Sequence, residues 1–111
     1  MAAEVHTTLF LARERPQVSR TLSGAFQLSM LTMDPLQAGM REPWRLFWTG
    51  AEAQAWWDAH GSQMQPGQPL HVHATHLQAF QTGRSPEIHA RVLGMSLAPW
   101  RHEAASRTQP A

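Results

Sequence analysis

Within five residues, Trp44-Arg45-Leu46-Phe47-Trp48 sets three flat rings around one cation. Phe80 and Arg84 bring a ring and a cation together again, and Arg13, Arg15 and Arg91 add charge elsewhere. Arginine lies flat on aromatic faces and grips phosphate oxygens with two N–H groups at once, whereas lysine is a point charge. All nine basic residues of the chain are arginine. That choice suits such pairing, although codon bias in a GC-rich genome is the weightier explanation of it. The chemistry open to this set is non-covalent: planar groups stacked beside a held anion.

His71, His73 and His76 fall close together, with His89 on a later segment. His71 and His73 would share a strand face, so metal ligation is geometrically open to them. No carboxylate lies among them in the sequence to orient a ring. They read as neutral polar residues on an outer face or a subunit contact, and no metal is expected. Asp34, Asp58 and the glutamates are scattered, with no paired carboxylates, nucleophile elbow or phosphate loop. Neither an enzyme nor a cofactor is expected.

The chain has 111 residues and a formal net charge of +1. That length suits one domain with a small core, over residues 1–100, followed by a polar tail over 101–111. Hydrophobic residues make up 42%, too many for a disordered chain. No apolar run approaches the length of a membrane span. The start, Met1-Ala2-Ala3-Glu4-Val5-His6, lacks the basic and apolar regions of a signal peptide. There is no cysteine, which removes disulfides and thiolate metal sites and suits the cytoplasm.

Five strands and one helix must position these residues. His6 to Arg13 is rich in β-formers and ends at Pro16. Phe26, Leu28 and Met30 alternate with polar residues, the period of a half-buried strand. Asp34-Pro35 opens a loop that runs to Pro43. Trp44 to Thr49 is the third strand, with an aromatic on each face. Thr49-Gly50-Ala51-Glu52 reads as a capping box, and the helix after it carries Ala53, Trp56 and Trp57 as one apolar stripe that ends near His60-Gly61. Pro66-Gly67 turns into the fourth strand, which buries Leu70, Val72 and Ala74 and turns His71, His73 and Thr75 outward. Its alternation slips before Leu77, which predicts a bulge between Ala74 and Leu77. Thr82 to Pro86 is a hairpin loop. The fifth strand carries Ile88, Ala90 and Val92 in phase and bends at Gly94.

Three strands, a helix and two strands is the order of the OB-fold, a five-stranded barrel with its helix between strands 3 and 4. In detail the chain resembles the bacterial single-stranded DNA-binding protein family. The likeness rests on Trp44-Arg45-Leu46-Phe47-Trp48, Gly50-Ala51-Glu52, the Pro66-Gly67 turn, Thr8 to Pro16 and Gly24-Ala25-Phe26. It covers about residues 5 to 99. Two departures stand out. The sequence ends Ser106-Arg107-Thr108-Gln109-Pro110-Ala111, without the acidic, aromatic-tipped peptide that recruits replication enzymes. The loop before Trp44 also lacks the family's aromatic and carries Met33 and Met40 instead. A short chain of this kind also looks like primosomal replication protein N.

The resemblance implies sequence-independent binding of single-stranded DNA in replication, recombination, repair or plasmid maintenance, by a homodimer or homotetramer. Replication proteins would be its further partners. The nucleic-acid-binding residues it implies are Arg13, Trp44, Arg45, Phe47, Phe80, Arg84 and Arg91. Strand 3 admits two registers, and a slip of one residue swaps every face. Anchoring on Gly50 turns Arg45 and Phe47 outward, points Trp48 into the barrel and leaves Trp44 at a subunit contact. Anchoring on Trp44 makes Trp44 the stacking residue. The glycine anchor is preferred. The alternative function is an OB-fold protein-interaction module with little DNA affinity.

Overall fold

The computed structural model describes residues 3–37, 40–82 and 85–100. It contains β1 (Glu4–Leu11), β2 (Gln17–Arg20), β3 (Phe26–Gln37), β4 (Met40–Thr49), α1 (Ala51–His60), a 3-10 turn (Gly61–Gln63), β5 (Pro69–Thr82) and β6 (Ser85–Leu97). The sheet order is β1-β5-β6-β4-β3-β2, and β1 also pairs with β3. The pairings β1–β5–β6–β4–β3–β1 thus form a closed ring of five strands. β2 hangs on the outer edge of β3 as a sixth.

The mostly-β class and the single helix agree with the sequence reading; the strand count does not. All four residues of β2 are exposed, so no apolar alternation marks them. They form a strand because Gln17–Arg20 lies in antiparallel register against Ser29–Phe26. The loop expected from Asp34 to Pro43 is also mostly strand. β3 and β4 stay paired through Asp34↔Glu42 and Pro35↔Arg41. β6 pairs with β4 only over Trp44–Phe47, so the hairpin beyond is two-stranded, a setting that tolerates proline.

The core is built from the inward phase of each ring strand: Leu9 and Leu11, Phe26, Leu28 and Met30, Trp44, Leu46 and Trp48, Leu70, Val72 and Ala74, Ala90 and Val92. α1 closes one end. Ala53 is fully buried, and the Trp56 ring lies 5.8 Å from that of Trp48. The expected capping box is absent. Gly50, not Thr49, is the N-cap, and no side chain caps the helix. Gly50 has φ of +114°, a conformation glycine favours, and its N–H donates to the Phe26 carbonyl at 2.8 Å. Gly61 is not a left-handed stop. Its φ is −55°, but a Cβ there would sit 2.8 Å from the Trp57 ring.

The long β5–β6 hairpin bends where its register shifts, between His73 and Ala74 and between Thr75 and Gln78. The second shift fulfils the expected bulge, displaced by one residue, and places His76 at φ of +52°. The first leaves Leu93 unpaired beside Gly94. Thr75, expected outward, is buried, and its hydroxyl donates to the Ala3 carbonyl at 2.8 Å.

Candidate nucleic-acid interface

Strand pairing carries the outward phase of β3, β4, β6 and β5 onto one wall. Leu31, Arg45, His89 and Gln78 stand in one row across it. Ser29, Phe47 and Arg91 form the next row, and Phe80 faces Glu87. Arg45 and Phe47 point outward because Trp44, Leu46 and Trp48 fill the inward phase. This is the arrangement of the Gly50 register.

Three rings meet on this wall. Phe80 stacks on His89 with ring centroids 4.4 Å apart and 21° between planes. Phe47 approaches the same imidazole at 5.4 Å, tilted by 59°. Phe80 is 41% exposed. The cluster therefore presents flat apolar surface to solvent. Such a surface takes another planar group by stacking.

The charge on the wall is partly neutralised. Arg45 donates to Glu14 and, at 3.4 Å, to Glu87. Glu87 also bonds His89 Nε2 at 3.1 Å. Burial disfavours the charge of Arg45, but its hydrogen bonds to the two carboxylates outweigh that and hold its pKa above the ordinary arginine value. Burial likewise pushes Glu87 up, and its bonds from Arg45 and His89 outweigh this and hold it below the ordinary carboxylate value. An anion arriving here must compete with these carboxylates for the guanidinium. Arg91, beside Phe47, is exposed and makes no ion pair among the described residues.

The sequence-predicted residues divide as follows. Arg45, Phe47, Phe80 and Arg91 come together on the wall. Trp44 does not. It is 7% exposed, belongs to the core, and its indole N–H donates to Glu42 at 3.1 Å. Neither a stacking role nor a subunit contact suits a ring sealed in this way. Arg13 stands apart, at the mouth of a groove beside the end of β1. Arg84 lies outside the described residues. Glu14, Glu87 and His89 had no place in the sequence reading of the site. The alternation of Glu87, His89 and Arg91 against Ile88, Ala90 and Val92 was the available signal; it needed the parallel β4–β6 pairing to acquire meaning.

His71 and His73 lie elsewhere, on the β1–β5 wall. His73 bonds Glu4 at 2.6 Å and stacks on His6 at 4.0 Å, while His71 bonds the Thr8 hydroxyl at 3.1 Å. The carboxylate missing from their sequence neighbourhood thus arrives from β1, through the register Glu4↔Thr75.

No protein-family model and no curated protein matches the chain. Its fold does match solved structures. An SSB domain from Synechococcus aligns with a TM-score of 0.61 at 14% identity, over 83% of this chain and 91% of that one. The mitochondrial single-stranded DNA-binding protein of S. cerevisiae gives 0.63 at 9% identity, over 90% and 99%. An SSB of Plasmodium falciparum, solved as a complex with ssDNA, gives 0.52 at 10% identity, over 86% and 94%. At these identities the likeness is one of fold.

Proposed function

We propose that this chain binds single-stranded DNA without sequence preference, as a divergent relative of the SSB proteins whose fold it shares. Bases lie against the Phe80–His89–Phe47 cluster, and Arg45 and Arg91 turn to phosphates. The observation that carries this reading is the half-exposed Phe80 ring, stacked on His89 and open to solvent. Stacking is sequence-tolerant because every base has a flat face, and each stacked base contributes about 1–3 kcal/mol.

The fold neighbours support the same reading, one of them by its complex with ssDNA. A second copy of the chain would lengthen a short track, so the proposal includes a homodimer or homotetramer. Replication, recombination, repair and plasmid maintenance are the settings in which such a protein would serve.

The test is a titration of fluorescently labelled oligo-dT, read by anisotropy at two salt concentrations. Labelled DNA is the better reporter because Trp44 and Trp48 are buried in the core. Each phosphate contact to a single strand contributes about −0.7 to the slope of log K against log[salt]. With Arg45 and Arg91 in contact, the slope should be at least about −1.4 in magnitude. Absence of saturable binding at low salt would overturn the proposal.

A further inference from the structure

A groove runs beside the wall, between β3 and the segment that follows β1. Its volume is about 680 Å³, within the roughly 300–1,000 Å³ of small-ligand sites. Phe10, Leu31, Met33 and Pro35 give it apolar lining, and Arg13 and Arg41 stand on it as cations. Both arginines are exposed, and neither forms an ion pair among the described residues. The groove's carboxylate, Glu14, is engaged by Arg45. Leu31 also shares a row with Arg45 across β3 and β4, so the groove adjoins the wall directly.

We propose that this groove is a second subsite for the same strand, which takes one further nucleotide with its base on the apolar lining and its phosphate between Arg13 and Arg41. This rests on the reading of the wall as a single-strand surface. The chemistry matches part by part. A nucleotide joins a planar, largely apolar base to a charged phosphate, and the groove joins apolar surface to two guanidinium groups that form no ion pair among the described residues. Guanidinium binds phosphate bidentately, as it does carboxylate. A strand leaving Phe47 can pass Arg45 and enter the groove without crossing the core. Glu14 then stands between the two subsites, and a phosphate that takes Arg45 must displace it.

The experiment compares labelled oligo-dT of about 4 and about 16 nucleotides, the limits of what one such domain covers. Wild-type protein is set beside Arg13→Ala/Arg41→Ala and beside Met33→Asp, with circular dichroism confirming the fold. For the longer strand we expect the double arginine variant to lose about tenfold in affinity at low salt. Its salt slope should be shallower by about 1.4, two phosphate contacts at about 0.7 each. Met33→Asp should weaken the longer strand by a similar factor, and the short strand should be much less affected by either change. Unchanged affinity and slope for the longer strand would remove the groove subsite and leave the wall standing. Equal losses for both lengths would also remove it, since they would reflect general electrostatics. Failure of wild-type protein to bind either length would overturn both readings together.

Discussion

Arg45 donates to Glu14 across 31 positions of sequence, and this bond holds the central cation of the wall. The pair is part-exposed, with side-chain accessibilities of 22% and 41%. Its worth is therefore small, about 0.2–1 kcal/mol, as for other ion pairs near the surface. It nevertheless occupies the group a phosphate would use. Glu14→Gln should release the guanidinium and tighten oligo-dT binding by up to about fivefold, the affinity equivalent of that energy. Weaker binding by the variant would mean that Glu14 positions Arg45 for DNA instead of competing with it.

Trp44 gives a contrasting outcome. Its ring is in the core, so Trp44→Ala should cost about 3–5 kcal/mol of stability through the cavity it leaves. The Glu42 carboxylate would also lose the indole N–H that donates to it. Urea unfolding checks this. A variant that unfolds at the wild-type midpoint but binds oligo-dT poorly would return Trp44 to the stacking role.

Glu87 and Asp34 are shifted in opposite senses, which separates their effects on stability. Burial alone would raise Glu87, but its bonds from Arg45 and His89 place it below its ordinary 4.5. Its stabilising contribution is therefore complete above about pH 4.5 and is lost as pH falls through the lower folded value. Burial, and then the nearby Glu42, raise Asp34 above its ordinary 3.8. Its contribution is present below that value and is lost as pH rises through the higher folded one. At neutral pH, Glu87→Gln should unfold at lower urea than wild type and Asp34→Asn at higher urea. Both gaps should shrink toward about pH 3. Gaps that stay constant with pH would contradict the assignment.

How far the sequence reached depended on whether a feature was local. Alternation placed Leu70, Val72 and Ala74 inward, but it left the register of β4 open between two anchors because both faces of that strand carry an aromatic; burial of Trp44, Leu46 and Trp48 selects the one with Arg45 and Phe47 outward. The start of β3, β5, β6 and the helix followed from periodicity and β1 from its β-forming residues, whereas the far ends of β3 and β4 were expected as loop. β2 escaped because exposed residues without alternation carry no strand signal. The capping box failed because Gly50, tied to Phe26, occupies the cap position that the pattern assigned to Thr49. The site's charges were hidden for another reason. Glu14 and Glu87 stand 31 and 42 positions from Arg45, and only the strand order brings them together. His89 was visible as a polar residue, but its place between Phe80 and Phe47 depends on a parallel pairing that no local pattern announces.

Phe80 decides whether bases rest on the wall. At 41% exposure it contributes little to the core, so Phe80→Ala should keep the wild-type circular dichroism and come within about 1 kcal/mol of its unfolding free energy. Its affinity for labelled oligo-dT at low salt should fall by about 5- to 150-fold, the loss of one stacked base at about 1–3 kcal/mol. A folded Phe80→Ala protein that binds with wild-type affinity would contradict stacking on this wall.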